Sequence, residues 1–368
     1  MPQTQSLPAA VLPSEAVQYS YYPSLNGLRG ISIIIVVLSH LQLPIFGGFE
    51  ILINGPLGVN IFFVLSGFLI TTLCVKELNA TGKLSLKKFY TRRFLRIFPV
   101  AYLYIFVILL LNIIYKLEIP WFQFAGAAAY LGNFSYFRSH SFTWVLSHYW
   151  SLSVEEQFYI IFPFILKKSR TIFTWCIIFI VTGLLVVCTI QDIFPPLNQG
   201  LPYYFSHYFI KFQSIAIGCL FSLLIFKKRF DHPYFVKLKI LGNATAIFFI
   251  FYLGFDNFYG LHAIFKNCAI SILTGYVVVS NLAPAKDVFF RLFNLKALSF
   301  IGVLSYSIYI WQQLFVSNDL RLPFWIVKPP YNIILLIIVP LLSYYGYERY
   351  FLKLKDKFKV LKTKPTVL

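Results

Sequence analysis

Thr171-Ile-Phe-Thr-Trp-Cys-Ile-Ile-Phe-Ile-Val-Thr-Gly-Leu-Leu-Val-Val-Cys-Thr-Ile190 is a run of twenty residues without one charged side chain, and it opens directly after Lys167, Lys168 and Arg170. As a helix it would extend about 30 Å, the thickness of a bilayer's hydrocarbon core. Apolar runs of similar length recur along the chain. Across all 368 residues, 58% are hydrophobic and only 12% charged, with a mean hydropathy of +0.72. A soluble globular domain carries about twice that share of charge and could not hide so much apolar surface. Secreted, disordered and fibrous classes fall with it, which leaves an all-α, polytopic membrane bundle.

The runs predict ten transmembrane helices, at about 29–46, 56–75, 98–115, 148–166, 171–190, 208–226, 239–253, 262–282, 297–316 and 331–350. Trp121 to Asn133 is apolar but too short to cross comfortably, and reads as a re-entrant or interfacial segment. Residues 1–22 read as a cytoplasmic tail without a cleavable signal, 23–352 as one integral-membrane domain, and 353–368 as a basic cytoplasmic tail. There is no internal repeat, and no paired Gly or Pro interruption of the sort found in inverted-repeat transporters.

The net charge of +19 would suggest a nucleic-acid partner in a soluble protein. Here 24 of the 32 Lys and Arg residues fall in alternate loops, at 76–96, 167–170, 227–239, 286–296 and 353–364. That is positive-inside asymmetry: it orients a multi-pass protein with both termini cytoplasmic, and argues for membrane lipid as a partner and against nucleic acid. Cys74, Cys176, Cys188, Cys219 and Cys268 lack C-x-x-C spacing and sit in or beside apolar runs, so they read as packing residues, not as a disulfide or metal framework.

An ionisable side chain inside a membrane segment costs a few kcal/mol even on lenient scales, about 2.5–3.5, and so needs a partner or a purpose. Arg29 and His40 are eleven positions apart, which on a helix is about 20° past three turns and about 16 Å along the axis. They share one face, separated by a distance comparable to an extended pantetheine arm. A snorkelling anchor at Arg29 and an interfacial His40 are the alternative reading. Arg92, Arg93 and Arg96 stand at the inner end of the third run, where the i, i+3 pair Arg93 and Arg96 suits bidentate phosphate binding or plain topological anchoring. His148, Ser151 and Glu155 share a face of the fourth run, with Glu156 and Ser153 on the neighbouring side. A carboxylate there could fix a histidine's tautomer, or simply complement a helix N-terminus. Tyr306 to Gln313 forms a polar and aromatic stripe, and Ser66-Gly67 reads first as a close helix contact.

Taken in order, these segments resemble acyltransferase family 3, integral-membrane enzymes that commonly O-acetylate carbohydrates at or beyond the bacterial inner membrane. The resemblance rests on Leu25-Asn-Gly-Leu-Arg-Gly30 with its step to His40, on Gly58 to Ile70, on the arginine block to Pro99, and on His148 to Tyr159. Tyr306 to Gln313 looks like a fifth block, so coverage runs from about 22 to 350. Asn26 stands where the family often has Asp, Asn60 where an acid is frequent, and Gln312 where many members carry His, which weakens an acid or base role for Gln312.

The resemblance implies a membrane O-acyltransferase of the bacterial cytoplasmic membrane. It would take an acyl group, expected to be acetyl, from acetyl-CoA (acyl-CoA) as co-substrate, without a metal, and pass it to a carbohydrate hydroxyl. Arg29, Arg92, Arg93 and Arg96 would hold the CoA phosphates. His40 would serve as general base or carry the acyl group, with Glu155 or Glu156 orienting it. Ser66, His148, Trp150, Ser151, Tyr306 and Trp311 would bind acceptor. A proton-coupled transporter built on the same buried Arg, His and Glu, and an acyltransferase for a secreted glycosylated small molecule, are the competing readings.

Overall fold

The computed structural model describes residues 12–19, 22–41, 54–134, 144–194, 208–255, 261–317, 319 and 321–360. Within them the chain is helical throughout, with no strand. The principal helices are α1 (Pro23–Leu41), α2 (Gly55–Thr81), α3 (Leu86–Tyr115), α4 (Trp121–Ala128), α5 (Tyr149–Lys168), α6 (Arg170–Ile193), α7 (Phe212–Phe226), α8 (Lys239–Phe255), α9 (Leu261–Ser280), α10 (Lys296–Phe315) and α11 (Tyr331–Ser343). A π-turn, Tyr344–Glu348, carries α11 directly into α12 (Arg349–Asp356).

Among the described residues five helices are long and apolar enough to cross a membrane: Pro23–Leu41, Gly55–Thr81, Leu86–Tyr115, Arg170–Gln191 and Tyr331–Asp356. Phe212–Phe226, Lys239–Gly254 and Ile264–Ser280 are apolar but shorter. Tyr149–Lys168 and Lys296–Phe315 have 20 residues each, yet their polar stripes dilute the hydropathy. A helix therefore overlies each of the ten expected segments, but length and composition qualify five as spans. The first helix begins at Pro23, six residues before the expected boundary, because proline at the first helical position starts a helix well. Arg29 consequently lies inside the helix, more than a turn from its end. Residues 42–46 of the expected span, and most of the tails, fall outside the described residues. At eight residues α4 is about 12 Å long, too short to cross.

Caps set several boundaries. Ser85 accepts a bond from the Lys88 amide at the start of α3, and Ser169 from that of Ile172 at the start of α6. Gly82, at φ +69°, ends α2 in a left-handed turn that a residue with a Cβ adopts at a cost. The 30 residues of α3 reach about 45 Å, so its first turns, bearing the arginines, project beyond a hydrocarbon core of about 30 Å.

The centre of the bundle is α2, 78% of whose apolar window is buried against 22% for the peripheral α6. Backbones meet there. A Cβ on Gly67 would stand 2.0 Å from the Ile215 carbonyl oxygen, and one on Gly218 2.1 Å from that of Val64, so α2 and α7 touch main chain to main chain. Helix α1 is seated the same way against α10: a Cβ on Gly302 would meet the Asn26 carbonyl at 1.8 Å, and one on Gly30 the Leu298 carbonyl at 2.3 Å. These contacts fix the helix that carries Arg29 and His40.

Candidate active site

At the basic end of the bundle a cavity of about 450 Å³ opens between α1, α2, α3, α10 and the last helix. Seven cationic side chains line it (Arg29, Lys76, Arg92, Arg93, Arg96, Lys355 and Lys359) against two carboxylates, Glu77 and Glu348. A smaller cavity of about 90 Å³ lies deeper, sharing Arg29, Arg93 and Arg96 with the first and adding Ser66, Ser151, Glu155, Tyr159, Tyr306 and Tyr309.

Each arginine is held in its own way. Arg29 donates weakly to Asn26 Oδ1 at 3.4 Å, one helical turn back. Arg92 pairs with Glu77 at 3.5 Å and gives its other terminal nitrogen to the Phe358 carbonyl at 2.9 Å. The Arg93 guanidinium lies over the Tyr159 ring, 5.0 Å from its centroid. Arg96 is within electrostatic reach of Glu348. Glu155 faces Arg29, Arg93 and Arg96 and accepts a 2.7 Å hydrogen bond from the Ser66 hydroxyl. Ser66 is thus a polar contact to α5 as well as part of a close helix crossing. Tyr306 donates to the Ile97 carbonyl at 2.6 Å and braces α10 against α3 just below the arginines.

His40 lies in another layer. Its ring meets Trp144 edge-on at 5.3 Å, Gln312 lies alongside it, and its buried Nδ1 has no hydrogen-bond partner among the described residues. His148 is close enough to interact with it electrostatically. The His148 ring sits among Tyr104, Tyr149 and Tyr309, with centroids at 5.2, 4.9 and 5.6 Å, and both of its nitrogens lack partners among the described residues. Trp311 packs edge-on against Tyr104 at 5.5 Å, while Trp150 lies against Phe63 and under the Lys211 ammonium. Tyr309 joins the two layers: it lines the inner cavity, hydrogen-bonds the Ser151 hydroxyl, and reaches the His148 carbonyl at 3.3 Å.

Two expectations need correction. The shared face of Arg29 and His40, a pantetheine-arm length apart, suggests one space reaching both, yet among the described residues His40 lines neither cavity, and Tyr309 and Ser151, hydrogen-bonded to each other, line the inner one. Nor do the glutamates orient His40. Glu155 is drawn to the three arginines and Ser66, and Glu156 is buried on the neighbouring face of α5, toward Tyr130. The faces of α5 are as the spacing predicts, with Ser151 and Glu155 together and Ser153 turned aside to accept from the Gly132 amide. Sequence reasoning missed Glu348, Tyr309, Trp144 and the lysines of the outer cavity. An acid closing an apolar run was the available signal for Glu348; Tyr309 lay in the polar and aromatic stripe and the lysines in the basic loops, where neither was given a ligand, and Trp144 had no signal beyond its residue type.

The family model of an acyltransferase domain matches residues 22–350. The chain belongs to the acyltransferase 3 family. Its relatives include the peptidoglycan O-acetyltransferase OatA of Listeria monocytogenes, 28% identical over 79% of this chain and 49% of that protein. The O-acetyltransferase OatA of Staphylococcus aureus strain NCTC 8325 is 29% identical over 79% of this chain and 50% of its own length. A protein of S. aureus strain COL, provisionally named as an O-acetyltransferase, is 30% identical over 95% of this chain and 60% of its length. The chain thus spans half to three-fifths of the curated relatives it matches. No solved structure matches it.

Proposed function

We propose that this protein moves an acyl group, acetyl in the first instance, from cytoplasmic acyl-CoA to a hydroxyl of a cell-surface or exported carbohydrate. Family membership supplies the acyltransferase class, and the name of the Listeria relative, a peptidoglycan O-acetyltransferase, points to a polymer of sugars as acceptor. The observation that carries the donor is the outer cavity, where seven cations face two carboxylates inside a membrane domain. Such a surplus suits a ligand with several phosphates, and guanidinium forks suit phosphate oxygens.

In this reading the basic end is cytoplasmic, the ten helices all cross a bacterial cytoplasmic membrane, and both termini lie inside. The nucleotide stays among Arg92, Arg93 and Arg96 while the pantetheine arm follows α1 from Arg29 toward His40, over about 16 Å. The arm displaces the Ser151–Tyr309 contact as it passes. His40 takes the proton of the acceptor hydroxyl, the oxygen attacks the thioester carbonyl, and the CoA thiolate leaves and recovers that proton. His148, Trp150 and Trp311, near the same layer, hold the acceptor, with Ser151 and Tyr306 along the route. Glu155, with Ser66, steadies the arginine cluster in place of the imidazole.

Acetyl-CoA labelled in the acetyl group, supplied to the inner face of sealed membrane vesicles, tests this. The label should pass to glycan, and mass spectrometry of envelope glycans with and without the gene should show the lost ester. Label that stays on CoA while protons move would instead establish a transporter, and label found on a small secreted glycoside would change the acceptor.

A further inference from the structure

The last helix ends at Asp356, and the segment after it is fastened to α3 by the Arg92 bond to the Phe358 carbonyl. Four lysines follow one another at alternate positions there, but only two face the outer cavity. Lys355 is half-buried in its wall and Lys359, one turn on, completes that side; Lys353 and Lys357 are exposed and do not line it. The charged neighbours of Lys355 are mostly of its own sign. Arg93, Arg96 and Lys359 are all within electrostatic reach, whereas the acids are Glu348, shared with Arg96, and Asp356, whose carboxylate binds Lys359 at 3.0 Å on the outside. Like charges gathered partly out of water repel one another. The arrangement is favourable when a polyanion lies between them.

The donor has two separate anionic groups, a diphosphate within its chain and a phosphomonoester on the ribose at the end remote from the thioester. With the diphosphate on the arginines of α3, the ribose end lies toward the mouth, where the cationic wall is made by the last helix. We propose that Lys355 and Lys359 bind the 3′-phosphate of the donor nucleotide, and that the last helix, pinned by Arg92, is therefore part of the donor site. The ammonium groups suit it: a compact point charge with three donors can follow a rotating phosphomonoester where a planar fork would fix it. This inference rests on acyl-CoA being the donor.

The test compares acetyl-CoA with acetyl-3′-dephospho-CoA by titration calorimetry on the full chain in phosphatidylcholine nanodiscs, without acceptor. The parent should bind acetyl-CoA roughly ten- to a hundredfold more tightly than the dephospho analogue, as expected for one or two charge-assisted contacts. Lys355→Ala with Lys359→Ala should erase that difference while leaving the dephospho analogue bound as before, which also certifies the fold. Lys353→Ala with Lys357→Ala removes the same charge outside the cavity and should change neither. A parent that binds both donors equally, or a double variant that weakens both alike, overturns the 3′-phosphate site but leaves the donor reading standing. A parent that binds neither overturns both. Replacing part of the lipid with phosphatidylglycerol should leave discrimination intact; its disappearance would put a headgroup phosphate on these lysines and end the proposal.

Discussion

Removing the His40 imidazole should separate binding from chemistry. In His40→Ala, acyl transfer should fall by about two to four orders of magnitude while acetyl-CoA still binds, because the arginines occupy a different layer. A folded variant with near-normal transfer would remove His40 from the mechanism. Arg93→Ala and Arg96→Ala should do the reverse, weakening donor binding, with only partial rescue by lysine, since an ammonium cannot reproduce the fork. Glu348 is the buried acid within reach of Arg96, so Glu348→Gln should raise the donor KM and leave kcat nearly unchanged. A fall in kcat at constant KM would show that Glu348 acts on the transferred group rather than through Arg96. Gln312 lies alongside His40, where a histidine would place two imidazoles together; Gln312→His should give a transfer rate that depends more steeply on pH than the parent's.

Helix α1 carries Arg29 and His40 at a distance from α10 set by backbone contact at Gly30 and Gly302. Gly302→Val would force a side chain into the Asn26 carbonyl, cost about 1–3 kcal/mol in overpacking, and push α1 outward. Thermal stability and donor binding should both drop, whereas Gly346→Ala, with nothing within 4 Å of the added carbon, should be tolerated. Equal loss in the two variants would argue that the glycines matter for insertion and not for spacing. The same helices show what a sequence can reveal. Apolar runs and charge alternation disclosed nearly every element, and the i, i+4 rule correctly grouped Ser151 with Glu155, because those relations are internal to one helix. Which helix stands opposite is not internal to any. Glu155 could be assigned to a histidine or to a helix N-terminus until α1 and α3 were seen to bring three guanidinium groups to it. Tyr309 looked like ordinary packing for the same reason.

The topology can be tested on the whole chain. Single cysteines at Lys83, His232 and Lys357 in a cysteine-free background should react with an impermeant maleimide only in inside-out vesicles, and one at Glu118 only in right-side-out vesicles. Opposite sidedness at His232 and Lys83 would mean that the segment containing α4 crosses after all. The outer cavity has one more consequence. Arg29 belongs to the first of the five candidate spans among the described residues and Lys355 to the fifth, yet one cavity holds both. A ribosome delivers α1 and α3 to the bilayer well before it has made the helix that closes the cavity. The nascent chain therefore brings its arginines to the bilayer before the wall they will share exists, and the cavity takes shape only once Glu348, Lys355 and Lys359 have been made.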